Sequence, residues 1–130
     1  MNFQESVERD MNFYVFARDL NKHLIELNYK MVSTVSNDAS SSTSSLRAYK
    51  LPYYEDGTLF NFFVINYTTH VINYRDIPEN DAYWHALDFQ LESINQNDLD
   101  KIKNIAIKIP EQLKKIKVEK KLKDIEKDFV

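Results

Sequence analysis

The sequence predicts an α+β fold in which an N-terminal helix, an antiparallel β-meander of about four strands and C-terminal helices form a two-layer sandwich. Apolar residues recur at helical spacing near both ends of the chain, whereas residues 59–67 form a run of strand-forming residues. Asp56-Gly57, a strong hairpin signal, stands just before that run. Because 130 residues suit one domain, we expect a single α+β domain over residues 1–130.

The first helix is predicted over residues 3–28. Asn2 suits the N-cap position, with Glu5 three residues later as in a capping box, and Asn28 is a typical helix stop. The apolar residues of the predicted buried face are Phe13, Phe16, Ala17, Leu20, Leu24 and Leu27. Aromatic residues are more numerous here than one face can bury, so some of them should be exposed.

The predicted strands, in chain order, are residues 29–36, 46–51, 59–67 and 83–92, with a shorter candidate at 71–74. A serine-rich run at residues 37–45 separates the first two, and we interpret it as a mobile hairpin loop. The third strand is apolar on both faces, so it should be central, with Phe62 and Phe63 both buried.

Two C-terminal helices are expected. Asn97 is the predicted N-cap of a helix from Asp98, and Pro110 is predicted to break or kink it, so that a basic helix follows at residues 110–129. Its predicted apolar stripe comprises Leu113, Ile116, Leu122, Ile125 and Phe129. The lysines around that stripe are Lys114, Lys115, Lys117, Lys120, Lys121 and Lys123.

Charge is distributed unevenly, since the first hundred residues carry seven basic and fifteen acidic residues and the last thirty carry ten lysines and five acidic residues. There is no cysteine, which excludes disulfides and thiolate zinc sites and fits a reducing cytosol. No apolar run approaches the ~20 residues of a membrane span. We therefore expect a cytoplasmic protein without membrane partners. The abundance of Asn, Lys, Ile, Tyr and Phe is typical of a low-GC genome, bacterial or phage.

No strong catalytic or metal motif is visible, and the three histidines lack metal-ligand spacing. Asp88 and Glu92 are predicted on one face of the last strand, where paired carboxylates could hold a divalent metal as nucleases require. Glu92 is followed by Ser93-Ile94 and lacks the lysine of a nuclease Glu-x-Lys motif. We therefore interpret this face as solvated, and expect a non-enzymatic protein with no metal and no cofactor.

Two surfaces are candidates for binding. The tyrosines gathered on the strands and their connections are either core residues or binding anchors. The hypothesised partner anchors are Tyr67, His70, Tyr74 and Arg75, on the loop after the central strand. The lysine-rich helix is either a solvated helix face or a nucleic-acid surface.

The chain runs from a first helix into a strand at residues 29–36, then through a serine-rich hairpin that ends at Arg47-Ala48-Tyr49. The central strand closes with Asn66-Tyr67-Thr68-Thr69-His70. Over about residues 10–105 this layout resembles small accessory proteins of low-GC bacterial phages, including type II-A anti-CRISPR proteins that inhibit Cas9. In those proteins the strand tends to end in Ser-Asp-His or Ser-Asn-His; this chain keeps the histidine and a hydroxyl.

The resemblance implies an inhibitor of a host defence nuclease complex that binds a protein or ribonucleoprotein, such as Cas9 with its guide RNA, in the cytoplasm of the host bacterial cell. The acidic body could meet the positively charged channel of such a nuclease. The alternative is an RNA- or DNA-binding protein that uses the lysine-rich helix. The oligomeric state stays open.

Overall fold

The computed structural model describes residues 2–37, 43–52, 58–75 and 84–128. Its elements are α1 (Phe3–Glu26), β1 (Lys30–Asn37), β2 (Thr43–Pro52), β3 (Leu59–Asn66), β4 (Val71–Arg75), β5 (Trp84–Asp88) and α2 (Gln96–Asp128). The strands form an antiparallel sheet in the order β1-β2-β3-β4-β5. The predicted α+β meander is confirmed, with five strands among the described residues, because the short candidate strand pairs on both sides as β4.

An asparagine lies just beyond each end of α1. Asn2 Oδ1 accepts a hydrogen bond from the Glu5 backbone N–H at 2.8 Å, so the predicted N-cap is confirmed. Asn28 has a φ of 69°, the left-handed conformation that ends helices. Its N–H bonds the Ile25 carbonyl while the Tyr29 N–H bonds the Leu24 carbonyl, which is the paired arrangement of a Schellman motif.

The central position of β3 is confirmed, since it pairs with β2 on one side and β4 on the other. Phe62 and Phe63 are 1% and 0% exposed. Phe63 pairs with Tyr49 but Asn61 pairs with Lys50, so the register skips Phe62 as at a β-bulge. The Phe63 ring contacts the edge of Tyr29, whose hydroxyl reaches α2, so this position links the sheet to the helical layer.

The hairpin between β1 and β2 is longer than predicted. The two strands pair up to Asn37 and Thr43, so Ser44 and Ser45 belong to β2 rather than to a loop. The rest of the serine-rich run, residues 38–42, lies outside the described residues, as does Asp56-Gly57.

The start of α2 corrects the predicted cap. The helix begins at Gln96, and Asn95 rather than Asn97 is its cap. The Asn95 side-chain oxygen accepts from the backbone N–H groups of Asn97 and Asp98, and Asp98 Oδ2 accepts from the Asn95 N–H at 2.9 Å. This exchange is a capping box formed by Asn and Asp.

The predicted break at Pro110 is wrong, because α2 continues through it as one helix of 33 residues. Proline has no N–H, so it leaves the carbonyl four residues earlier, that of Ala106, without its helical partner. Tyr29 supplies the missing donor: its buried hydroxyl donates to the Ala106 carbonyl oxygen at 2.8 Å. Tyr29 thus provides the hydrogen bond that the helix itself cannot make because residue 110 is proline.

The two halves of α2 have different surroundings. The core residues of its first half are Leu99, Ile102, Ala106, Ile109 and Leu113. Residues 114–127, here called the α2 extension, are exposed except for half-buried Ile116 and Lys117. The predicted stripe from Leu113 to Ile125 is therefore not one buried face, since Leu122 and Ile125 are exposed; its Phe129 lies outside the described residues.

Candidate functional site

The turn between β3 and β4 is held in an unusual conformation. Asn66 Oδ1 accepts hydrogen bonds from the backbone N–H groups of Thr68 and Thr69, which closes the turn. His70 follows with a φ of 57°, a left-handed conformation that is uncommon for a residue with a Cβ. Such a backbone persists only where its surroundings fix it, and it is found more often at functional sites.

Contacts with α1 fix His70. Its Nδ1 lies 3.1 Å from Asp10 Oδ1, and its ring stacks on Phe13 with centroids 4.4 Å apart. The ring of Tyr14 meets its edge, and the backbone N–H of Phe89 donates to the His70 carbonyl. Only 12% of the His70 side chain is exposed, so it is a positioned group rather than a mobile surface histidine.

Tyr67 and Arg47 extend this cluster across the sheet. The guanidinium carbon of Arg47 lies 5.1 Å from the centroid of the Tyr67 ring, a cation–π distance. Burial raises the pKa of the Tyr67 phenol, and the Arg47 charge acts in the opposite direction. The Tyr67 ring also meets Phe13 edge-on. We call the six residues of this cluster the turn site: Asp10, Phe13, Tyr14, Arg47, Tyr67 and His70.

An open cleft of about 320 Å³ lies beside the turn site, between α1 and the segment that joins β5 to α2. Its lining residues are Glu5, Glu8, Arg9, Asn12, Phe89, Glu92, Ser93 and Ile94. Arg9 donates to the Gln90 carbonyl and Asn12 to the Ile94 carbonyl, so α1 holds this connecting segment in place. Three glutamates and one arginine are among these residues, and we call the feature the acidic cleft. Phe89 belongs to its wall and packs against Phe13 of the turn site.

The structure separates the four hypothesised anchors into two pairs. Tyr67 and His70 lie together in the turn, as predicted. Tyr74 and Arg75 lie in strand β4 rather than on the loop, at the strand's other end. Tyr74 is 6% exposed, because it packs in the core.

Arg75 lies over aromatic rings. Its guanidinium carbon is 5.0 Å from the Trp84 ring centroid and 5.2 Å from that of Phe62. A planar guanidinium stacks well in this way. Arg75 therefore covers part of the aromatic cluster at this end of the sheet, and the turn site does not include it.

The predicted carboxylate pair on the last strand is not formed. Strand β5 ends at Asp88, and Glu92 lies beyond it in a turn. Asp88 Oδ1 accepts from the Gln90 N–H, while the backbone carbonyl of Asp88 accepts from Leu91 and Glu92. Apolar and polar residues alternate in the sequence as far as Glu92, which predicted a longer strand. These hydrogen bonds instead turn the chain directly after Asp88. Within the described residues no group of three His, Asp or Glu side chains is placed to hold a metal ion.

Sequence reasoning missed four members of the turn site: Asp10, Phe13 as a stacking partner, Tyr14 and Arg47. The excess of aromatics in α1 was a signal, and Tyr14 is indeed 52% exposed. No sequence pattern joins Asp10 to His70, because sixty residues separate them and only the packing of α1 on the sheet brings them together.

The six lysines of the alternative site all lie on the α2 extension, and all but half-buried Lys117 are exposed. In the described part of the chain, neither helix has an apolar stretch long enough to cross a membrane. Comparison with protein-family models, with curated proteins and with solved structures finds no match to this chain.

Proposed function

We propose that this protein is a non-enzymatic binding protein that engages a protein or ribonucleoprotein through the turn site and the acidic cleft. The observation that supports this most strongly is their adjacency: Phe89 forms the wall of one and packs into the other. A rigid aromatic and arginine surface beside an acidic depression suits a partner that presents basic side chains.

The turn site has the composition of a binding hot spot. Tyrosine and arginine are enriched among residues that carry most of the energy of an interface. Tyr14 is exposed, while Tyr67 and Arg47 are half-buried. Phe13 packs against the rings of Tyr14 and Tyr67, and the Arg47 guanidinium lies over the Tyr67 ring. Because these side chains are already fixed, a partner would lose little entropy by ordering them.

The acidic cleft indicates a partner with a positively charged surface. Glu5, Glu8 and Glu92 line it, and they would meet a positively charged surface with complementary potential. A nuclease that holds nucleic acid in a positively charged channel offers such a surface. We therefore propose a host defence nuclease complex as the partner, such as Cas9 with its guide RNA, and with it a cytoplasmic location in a host bacterial cell.

The proposal is tested by capture from a host lysate, with and without nuclease treatment, followed by a DNA-cleavage assay with the purified Cas9–guide complex. We expect capture to survive removal of free nucleic acid and cleavage to be inhibited. The variant Tyr14→Ala with Arg47→Ala should weaken inhibition roughly thirtyfold, the effect of losing one hot spot of about 2 kcal/mol.

Charge is tested separately with a triple substitution, Glu5→Gln, Glu8→Gln and Glu92→Gln. It should slow association and make it less dependent on salt. A matched control removes three carboxylates elsewhere: Glu26→Gln, Glu111→Gln and Asp124→Asn. Equal effects of the two sets would show that only overall charge matters and would contradict a role for the cleft.

Nucleic-acid binding is a second candidate, favoured by one observation. The α2 extension carries seven lysines and three carboxylates and projects its charges into solvent on nearly all sides. Lysines presented in this way could contact phosphates without the acidic body intervening. The candidate residues are Lys114, Lys115, Lys117, Lys120, Lys121 and Lys123.

A gel shift with naked duplex DNA and RNA at about 150 mM salt separates the two candidates, because surface charges more than ~8 Å apart are then largely screened. We expect no submicromolar binding. If such binding occurs and is lost when the six lysines become Glu, the nucleic-acid function replaces the one proposed. Its affinity should then fall with salt, with a log–log slope of about −0.9 per phosphate contacted.

A further inference from the structure

The α2 extension has an apolar stripe that nothing in the described structure covers. Val118, Leu122 and Ile125 are between 52% and 56% exposed and are spaced by four and three residues. At about 100° per residue they lie roughly 160° around the helix from the side that carries Ile109 and Leu113. The stripe therefore points away from the core of its own chain.

The spacing is that of a coiled-coil seam. With Val118 and Ile125 at d, the a positions are Lys115 and Leu122. The flanking g positions are Lys114 and Lys121, and the flanking e positions are Glu119 and Glu126. Each set repeats after seven residues, so one side of the seam is basic and the other side is acidic.

We propose that the α2 extension pairs with the same segment of a second copy of this chain as a short parallel two-stranded coiled coil. The flanking charges identify the partner helix as a second copy of this segment. In a parallel pair each g residue faces the e residue five positions later on the other helix. Lys114 then faces Glu119 of the partner subunit, and Lys121 faces Glu126 of the partner subunit.

The same charges disfavour the antiparallel arrangement. There g residues face g residues and e residues face e residues, so lysine would meet lysine and glutamate would meet glutamate. The flanking positions thus carry attractive pairs for the parallel arrangement and repulsive pairs for the antiparallel one. Lys115, at an a position, faces its own copy in the parallel pair; a single polar residue there fixes register and number of strands but lowers the stability of the dimer.

The fold permits this pairing. Because the seam lies opposite the core side of α2, the two bodies would lie on opposite sides of the coiled coil and would not collide. Residues 114–127 span about 21 Å, only two heptads. The helix is already nucleated by its buried first half, which removes the main cost that short isolated helices meet. We expect a dimer that dissociates on dilution.

Sedimentation equilibrium on the full chain over a wide concentration range tests the proposal. The mass should rise from 15.4 kDa to twice that value as concentration increases. Lys114→Glu with Lys121→Glu should stay monomeric, since g and e are then both acidic. Glu119→Lys with Glu126→Lys should stay monomeric for the converse reason. An equimolar mixture of the two variants should form a 1:1 heterodimer.

A matched control changes the same charge away from the seam: Lys120→Glu with Lys123→Glu, at f and b positions, should dimerise like the wild type. Orientation is tested by Lys115→Cys, since the native chain has no cysteine. In the parallel dimer the two introduced thiols face each other within disulfide reach and should cross-link on oxidation. Thermal melts by circular dichroism check that each variant is folded.

A wild-type chain that stays monomeric at all concentrations would overturn the proposal and assign the stripe to a different partner. So would a dimer that the two seam variants leave intact, because its interface would then lie elsewhere. The proposal is independent of the turn site, so loss of nuclease inhibition would not affect it.

Discussion

The two halves of α2 have similar helical sequences but opposite relations to the rest of the molecule. Residues 96–113 place five apolar side chains in the core and accept a hydrogen bond from Tyr29. The α2 extension continues the same helix, but Val118, Leu122 and Ile125 are exposed on its surface. The difference shows that helix formation and helix burial are set separately: local spacing predicts the first, and only the tertiary partner determines the second.

The largest effect on stability should come from truncating a core side chain in the buried half of α2. Ile109→Ala should lower the free energy of unfolding by about 2–5 kcal/mol, because it leaves a cavity in a close-packed core. Leu122→Ala in the α2 extension should cost less than about 0.5 kcal/mol at concentrations where the chain is monomeric. Urea denaturation of both variants measures this, and similar losses would mean that the extension is packed.

The hydrogen bond at Pro110 should give the next largest effect. Tyr29→Phe leaves the buried Ala106 carbonyl without a donor, which should cost about 1–3 kcal/mol. In a Pro110→Ala background, the backbone N–H restored at position 110 would donate to the Ala106 carbonyl within the helix. Tyr29→Phe should therefore cost less stability in that background than in the wild type.

A double-mutant cycle on Tyr29 and Pro110, followed by urea denaturation, measures this coupling. Additive losses would show that the hydroxyl and the proline act independently and would contradict our explanation of the unbroken helix.

Alkaline pH should destabilise the folded body that contains the buried half of α2. Burial raises the pKa of Tyr29, and it raises that of Tyr49 from 10.0 to about 12. Above pH ~10 the unfolded chain loses these protons while the folded chain retains them, so the unfolded state binds fewer protons and stability falls. Denaturation from pH 9 to about 12 should show this decline, and Tyr49→Phe should reduce its slope. A flat profile in the wild type would contradict it.

The smallest effect should come from removing the α2 extension. A chain that ends at Lys117 should keep its unfolding free energy within about 0.5 kcal/mol of the full chain, when both are monomeric. The measurement is again urea denaturation at low concentration. A large loss would place the extension in the folded body.

The elements that sequence reasoning predicted best are those whose determinants are local. Asn2 and the periodic apolar residues define α1, and the double-sided apolar run defines β3. Pro110 misled because the donor that compensates for it, Tyr29, is distant in sequence. Asp88 misled because its hydrogen bonds turn the chain where the alternating pattern alone predicts continued strand.

The candidate site was predicted only in part, because some of its residues come from elements distant in sequence. Tyr67 and His70 were found because they follow the central strand, where loops commonly carry function. Asp10 and Arg47 were missed because each reaches the site from another element. Tyr74 was included because an aromatic residue beside Arg75 suits a protein-binding surface, but its side chain is buried in the core.

Hydrogen exchange along α2, measured at low and at high protein concentration, tests the contrast between its two halves most directly. At low concentration we expect strong protection up to about Leu113 and weak protection from Val118 onward, because exchange follows local opening. Raising the concentration should protect the extension alone. Uniform protection along the whole helix at low concentration would contradict the account, since it would mean that the extension is anchored in the body of its own chain.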